Sequence, residues 1–439
     1  MIHCEPDIKV ALLQNTEETR IKLEGHFFLS QHGTISGELS ARCENGRVVL
    51  ANPDGEVIRR KEITLFPSDP TKTYFTVKNI QIGIDFHWQR VQEQSFRGGL
   101  LLLAHNENHF HLINLVGLEE YLASVISSEM SADAPLEFLK AQAITARSWL
   151  VAMLEKKKGQ RIRQIKNEEE IRVWQDVNDH QDFDVCADDH CQRYQGITRI
   201  ISEQVACAIL QTHGIFLTSN DGICDARYYK CCGGLTDEFA TAWEDDSLPY
   251  LSCVSDHTQK YARIASEDDA ATWLLSTPDA YCNTTDQKTL RQILPSFDLE
   301  TMNFYRWRVE YSRSELEDIL TKKSGIDFGE LLHLEPLLRG PSGRIHRLKI
   351  TGSKRTVMVG KELEIRRWLA PTHLLSSAFV VTVKRDHNGR AICFLLEGGG
   401  WGHGVGLCQI GAAMMAVRGQ TATDILAHYF PGAELTKRY

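Results

Sequence analysis

The tightest constraint on this chain is a glycine-rich run, Gly398-Gly-Gly-Trp-Gly-His403-Gly-Val-Gly-Leu-Cys-Gln409-Ile-Gly-Ala412, with glycine at 398, 399, 400, 402, 404, 406 and 411. Glycine permits positive φ and lets the backbone approach another group closely. A segment this rich in it is a tight turn between a strand and a helix, or a ligand-binding loop. It is not a nucleotide loop of either common kind. It lacks G-x-x-x-x-G-K-[ST]. It also lacks G-x-G-x-x-G, because the residues three after Gly400, Gly402 and Gly404 are His403, Val405 and Leu407. Trp401 and His403, bulky side chains displayed among glycines, suit a sugar-binding cleft better than a plain turn.

The remainder has an ordinary globular composition, 42% hydrophobic and 24% charged. At 439 residues the chain exceeds the ~250–300 at which a single core stops growing, so two or three lobes are expected. A formal net charge of −9 argues against a nucleic-acid partner, which calls for a basic excess or stripe. It leaves room for an uncharged polysaccharide. No run reaches the ~18 apolar residues that would span a bilayer, so no transmembrane segment is expected. Met1-Ile2-His3-Cys4-Glu5-Pro6-Asp7 has neither the basic nor the apolar region of a signal peptide. Either a signal is missing from this chain or the protein stays in the cytoplasm. Twelve cysteines spread over so long a chain point to free thiols or a metal site, not a disulfide scaffold. The adjacent pair Cys231-Cys232 is poorly placed to bridge.

The first hundred residues read as β. Ile8–Leu13 is a short strand, and Asn45-Gly46 supplies the positive φ angles of a tight hairpin between Glu38–Cys43 and Arg47–Leu50. Asp54-Gly55 repeats the device before Ile63–Phe66, and Thr73–Ile84, Leu100–His105 and His109–Leu115 continue the strand-like runs. At Leu118 the period changes, with apolar residues at 118, 121, 122, 125 and 126 marking a helix. Asp133 is a candidate cap for a second helix, with Pro135 tolerated in its first turn. Leu136, Leu139, Ala143, Ala146 and Leu150 give that helix one buried face.

Further along, Glu155–Glu170 reads as a solvated charged stretch, Ile197–His213 as a helix, and Gly214–Lys230 as short β runs turning at Asn220–Gly222. Residues 260–340 read as helices of an inserted or peripheral lobe. Arg344–Thr351 and Phe379–Lys384 are expected strands, the second turning through Asp386–Gly389 into Ala391–Leu396. A helix should follow Gly411 and stop at Gly419, and another should end at Pro431-Gly432. The fold class is therefore α+β, β-rich at the start and mixed after it.

Two further constellations bear on chemistry. Glu129 falls between the two expected helices, where partial desolvation would let a carboxyl hold a proton near neutral pH, as a general acid must. A lone glutamate near a helix start is more often simply solvated, and periodicity gives no reason to prefer Glu129 over Glu119 or Glu137. The other is His180-x5-Cys186-x3-His190-Cys191, two nitrogens and two sulfurs within twelve residues. That composition matches a tetrahedral zinc site, although the spacing is not that of a common finger. The plainer reading is an Asp-rich surface loop in a chain with 17 histidines. Four protein ligands leave no open position for water, so such a zinc would be structural.

Taken together, these segments resemble the SpoIID/LytB family. Leu118-Glu-Glu-Tyr-Leu through Ala146-Arg147, with Ser128-Glu129-Met130 and Leu139-Lys-Ala-Gln-Ala143, is similar to the family's first block. Ala226-Arg-Tyr-Tyr-Lys-Cys-Cys-Gly-Gly-Leu-Thr236, with Ala242-Trp243 and Pro249-Tyr-Leu251, resembles its central motif. Glu364-Ile-Arg-Arg-Trp-Leu369, Ser376-Ser-Ala-Phe379, the glycine run and His428-Tyr-Phe-Pro-Gly432 complete the match, roughly over residues 90–439. Cys231-Cys232 and Cys408 depart from the pattern, a small polar residue being expected at 408, and no export signal is visible.

The resemblance implies a lytic transglycosylase acting on peptidoglycan glycan strands stripped of stem peptides, with Glu129 as catalytic residue. It also implies zinc on His180, Cys186, His190 and Cys191. Arg147, Tyr228, Trp401, His403 and Gln409 are the expected substrate-binding residues, in a cleft that gathers Glu129, the Tyr228 segment and the His403 loop. Hydrolytic glycosidases use two carboxylates, whereas one suffices when the sugar's own C6 hydroxyl attacks. Glu397 is the candidate partner if the reaction is hydrolytic. A cell-envelope location and an amidase partner are further implications, since the LytB name denotes a module that stimulates an amidase. A zinc amidase is disfavoured by the saturated ligand set. The expected division is a β-rich region over 1–95, core segments over 96–260 and 341–439, and the lobe over 261–340.

Overall fold

The computed structural model describes residues 4–55, 57–83, 89–156, 164–173, 180–188, 190–199, 202–220, 222–296, 298–301 and 303–439. Parts of four expected elements lie outside the described residues: residue 84 of the strand from Thr73, 157–163 of the charged stretch, 200–201 of the helix from Ile197, and the turn residue 221. Residues 1–3 of the start do so as well.

The chain forms two compact units, one of Met1–Asp133, Val177–Ile215 and Lys437–Tyr439, the other of Ala134–Asp176 and Phe216–Thr436. The mixture of sheets and helices is the expected α+β class. The units do not follow the expected division. The β region runs through Gly117 and not to residue 95, because Gly99–Ala104 and Phe110–Gly117 are inner strands of its sheet.

In the first unit, Asp7–Thr16, Phe110–Gly117, Gly99–Ala104, Glu62–Pro67, Glu18–Leu29, Gly33–Glu44, Arg47–Ala51 and Val57–Arg60 lie side by side in that order. Tyr74–Ile82 pairs with Glu18–Leu29, and Arg90–Phe96 pairs with Tyr74–Ile82. Asn45 and Gly46 take φ of 52° and 71° and place Glu44 opposite Arg47, the two-residue hairpin their sequence demands. Asp54-Gly55 leads first into Val57–Arg60, so the expected strand at Ile63 comes one strand later. Glu18–Leu29 is not legible in the sequence because Gly25, at φ 89°, interrupts its alternation with a register shift.

The sheet delivers the chain directly into helix α1 (Leu118–Glu129). Leu118, Tyr121, Leu122, Val125 and Ile126 are buried, as the period requires. Gly117 offers no side-chain cap, and the Glu5 carboxylate accepts the Glu119 N–H at 2.9 Å instead.

The second unit opens with helix α2 (Leu136–Lys156), packed on helices Gln409–Val417 and Ala422–Tyr429. Asp133 lies ahead of it and does not begin it; the Pro135 carbonyl accepts the Leu139 N–H at 3.0 Å. Gln409–Val417 ends at Arg418, with Gly419 at φ 87°, as expected. Residues 260–340 are not a peripheral helical lobe. Helices Glu267–Leu275, Gln287–Ile293 and Arg313–Ser324 are present, but strand Arg306–Ser312 pairs with Ala391–Gly399, and Leu331–Arg339 pairs with Ile345–Gly352. These strands share a core with Trp368, Phe379, Phe394 and Leu396, contacts that no local pattern announces.

Candidate active site and metal centre

Glu129 closes α1 and is 8% exposed. Its Oε1 accepts the Arg193 backbone N–H at 3.1 Å. Two further bonds join the segment 192–195 to the helix. The Tyr121 hydroxyl donates to Gln192 Oε1, and the Gln195 N–H donates to Ser124 Oγ, both at 3.1 Å. Tyr121 and Tyr194 stack at 5.1 Å. The rival glutamates hold structural bonds. Glu119 accepts from the Gly214 N–H and the Tyr439 hydroxyl, and Glu137 from Lys140 and the Ala422 N–H.

Two residues before Arg193 lies the His/Cys cluster. The ligating atoms of His180, Cys186, His190 and Cys191 all fall within 4.8 Å of one another. His180 Nε2 is 3.3 Å from Cys191 Sγ, and His190 Nδ1 is 3.6 Å from Cys191 Sγ and 4.0 Å from Cys186 Sγ. A tetrahedron with Zn–S of ~2.3 Å and Zn–N of ~2.05 Å requires N···S separations of ~3.6 Å. The four residues therefore fit a zinc ion. Hydrogen bonding from Cys191 above all, helped by His180 and His190, pulls the Cys186 thiol down to about 2 against the upward push of burial.

The loop is better anchored than its polar sequence suggests. Val185 and Cys186 pair in parallel with Val10 and Ala11, and Phe183 joins Ala11, Leu101 and Ile113 in a small core. One end of the cluster is thus held by the sheet. His190 and Cys191 lie past that anchor.

In the second unit the glycine run earns its composition from Arg344, a fully buried arginine. Its guanidinium donates to the carbonyls of Gly402 at 3.1 Å and Cys232 at 3.2 Å, tying the run to the Cys231-Cys232 segment. A Cβ on Gly404 would lie 2.5 Å from Arg344 Cζ, and Gly404 has φ of 85°. His403 is fixed on both ring nitrogens. Nδ1 accepts the Val405 N–H at 3.1 Å, so Nε2 carries the proton and donates to the Tyr228 carbonyl at 2.9 Å. Burial, then the cations of Arg227, Arg344 and Arg366, push this imidazole well below its usual range. It is a neutral positioning group between Tyr229 and Trp243, whose rings lie 5.1 and 4.8 Å away.

A family model described as stage II sporulation protein matches residues 106–219, the stretch holding Glu129 and all four His/Cys residues. This chain carries a SpoIID domain. A second model, described as a domain of unknown function (DUF8618), matches residues 237–406. The chain is similar to stage II sporulation protein D of Bacillus amyloliquefaciens, 24% identical over 329 residues, which is 74% of this chain and 76% of that protein. It is 25% identical over 330 residues to the Bacillus subtilis protein of the same name, covering 73% and 75% of the two chains. It is likewise 25% identical over 336 residues to a Bacillus subtilis amidase enhancer, covering 72% of this chain but 40% of that protein.

The SpoIID match includes Arg147 as well, but Arg147 is fully buried in α2. Gln409, at the start of its helix, is 1% exposed. Both side chains are buried, and Gln409 Nε2 has no hydrogen-bond partner among the described residues. Helical periodicity could not separate a buried polar residue from an exposed one. Tyr228, Trp401 and His403 are partly exposed and belong to one unit, brought together by the pairing of Tyr228 with Leu407. Glu129 and the His/Cys cluster belong to the other. Glu397 sits mid-strand in the second unit, opposite Arg308 and Val380.

Two groupings escaped the sequence. His105, His111 and Asp182 converge in the first unit, with Asp182 Oδ2 3.5 Å from His105 Nδ1 and 3.6 Å from His111 Nε2. Cys232, Asp256, Cys282 and Cys408 converge in the second. The unusual Cys232 and Cys408 were the only hint of the latter.

Proposed function

We propose that this protein cleaves peptidoglycan glycan strands as a lytic transglycosylase, with Glu129 as its single acid and base. The observation that carries the reading is the Glu129 carboxyl, buried at the end of α1 and anchored by Arg193, while Glu119 and Glu137 are committed elsewhere. Glu129 protonates the glycosidic oxygen as the bond from C1 breaks. The carboxylate then accepts the proton of the C6 hydroxyl, whose oxygen attacks C1 and closes a 1,6-anhydro ring without consuming water. A hydrolytic pair would need a second carboxylate ~5–9.5 Å away. α1 itself supplies none, since Glu120 and Glu119 are nine and ten residues back, ~13–15 Å along the axis, so a hydrolytic partner would have to come from another element.

His180, Cys186, His190 and Cys191 would hold zinc, which supplies order when bound, since four protein ligands leave it no place for water. Fixing Cys191 fixes the start of the segment that anchors Glu129. Tyr228 and Trp401 would bind the glycan, stripped of stem peptides, on a loop that His403 positions and to which its ring face would contribute. The substrate puts the site of action in the cell envelope. Among the described residues no helix is long and apolar enough to cross a membrane.

The similarity to an amidase enhancer favours one second reading, a glycan-binding module that stimulates a separate cell-wall amidase without cleaving anything itself. Mass spectrometry of glycan strands incubated with the protein decides between them. Anhydro ends are the expected product. Intact strands together with faster stem-peptide release by an added amidase would replace the first reading by the second.

A further inference from the structure

We propose that the second unit holds a metal site of its own, in which Cys232, Cys282, Cys408 and Asp256 bind a zinc ion. The four residues come from separate stretches of chain, yet their sulfurs and a carboxylate oxygen all lie within 4.8 Å of one another, and all four residues are buried. Cys232 Sγ and Cys282 Sγ are 3.4 Å apart. A tetrahedral zinc site with Zn–S of ~2.3 Å sets S···S at ~3.8 Å, so closure needs shifts of a few tenths of an ångström. Thiolate sulfur with carboxylate oxygen is a zinc donor set, whereas magnesium and calcium take oxygen alone.

Backbone N–H groups point at two of the sulfurs. The Gly234 N–H points at Cys232 Sγ and the Cys232 N–H at Cys408 Sγ, each at 3.2 Å. Such outer bonds orient metal ligands and offset their charge. Gly234, at φ 106°, turns its N–H inward where another residue would be strained. Asp256 is fixed on both oxygens, Oδ2 by the Cys282 N–H at 2.8 Å and Oδ1 by the Tyr429 hydroxyl. Among the described residues no lysine or arginine pairs with this fully buried carboxylate. A buried carboxylate without a counter-charge is costly, and a divalent cation would supply the charge.

With four protein ligands the ion has no open position and acts as a staple. It would join the turn at Cys232-Gly233-Gly234, the strand residue Cys408 ahead of Gln409, and the stretch from Asp256 to Cys282. Cys231, next to Cys232, pairs with Trp401, and Cys408 follows the glycine run, so the staple would fix that loop whichever reaction the protein performs.

The test counts metal on the full chain purified in zinc-containing buffer without chelator. Wild type should carry about two zinc ions, and Cys191→Ser and Cys282→Ser about one each. A Cys191→Ser chain free of zinc, or a folded Cys282→Ser chain with wild-type content, overturns the proposal. A wild-type chain with one zinc that only Cys282→Ser loses would instead remove zinc from the His180 cluster. Should Cys282→Ser fail to fold, X-ray absorption on zinc-loaded Cys191→Ser still decides. Three sulfurs at ~2.3 Å and one oxygen at ~2.0–2.2 Å are expected. Four sulfurs would transfer the fourth position to the neighbouring Cys231 and refute the role of Asp256. Thiol titration of denatured, unreduced wild type should find all twelve cysteines free, and a missing Cys232–Cys282 pair would mean a disulfide in place of a metal.

Discussion

Replacing Cys191 by serine tests how the His/Cys cluster acts on the candidate acid. The sheet holds Val185 and Cys186 whether or not a metal is bound, so loss of a ligand loosens chiefly His190, Cys191 and the segment 192–195 beyond them. That segment is bonded to α1 through Gln192, Arg193 and Gln195. Two of those bonds join neutral groups, at ~0.5–1.5 kcal/mol net each, and one ends on a carboxyl, at ~1.5–3 kcal/mol if ionised. Complete loss would therefore cost about 2.5–6 kcal/mol. For a unit of this size each kcal/mol moves the melting temperature by roughly 2–4 °C, giving a fall of about 5–24 °C. Zinc content, calorimetric Tm and release of anhydro ends should all drop together in Cys191→Ser. Chelation of wild type should do the same and added zinc should reverse it. A variant that keeps its Tm while losing all turnover would make the metal catalytic and refute the reasoning.

Glu129→Gln should lower anhydro-end formation by ~10²–10⁴-fold with zinc content unchanged and Tm within a few degrees, because an amide oxygen still accepts the Arg193 N–H; near-normal turnover would move the acid to Glu397 or elsewhere. Gly404→Ala should destabilise the second unit by about 1–3 kcal/mol, since the new methyl meets the Arg344 guanidinium at positive φ; an unchanged denaturation midpoint would show that the loop yields freely. His346 is held down to about 4 by burial first and Lys361 second, while the unfolded residue titrates near ~6.5. Below ~6.5 the unfolded chain therefore takes up a proton that the native protein refuses, and this contribution to stability is lost as pH falls towards 4. Urea unfolding of wild type and His346→Gln at pH 7 and pH 5 should differ in their pH dependence by about 2 kcal/mol; parallel profiles would contradict the burial of a neutral imidazole.

The sequence by itself determined the features whose cause is local. Asn45-Gly46 had to be a hairpin because both residues accept positive φ, as they do. The 3.6-residue period fixed α1 and α2, and the crowding of His180, Cys186, His190 and Cys191 into twelve residues exposed a donor set before any fold was known. What only the tertiary structure decided are relations between distant parts of the chain. Glu119, Glu129 and Glu137 look alike in sequence, and they were told apart by partners at Tyr439, Arg193 and Ala422. The strands within 260–340 are amphipathic only with respect to Ala391–Gly399 and Ile345–Gly352, against which they pair. Cys232, Asp256, Cys282 and Cys408 share one buried point although 176 residues separate the first from the last. Backbone conformation is set by neighbours in sequence, whereas burial and ligand geometry are set by neighbours in space, and only folding makes those neighbours.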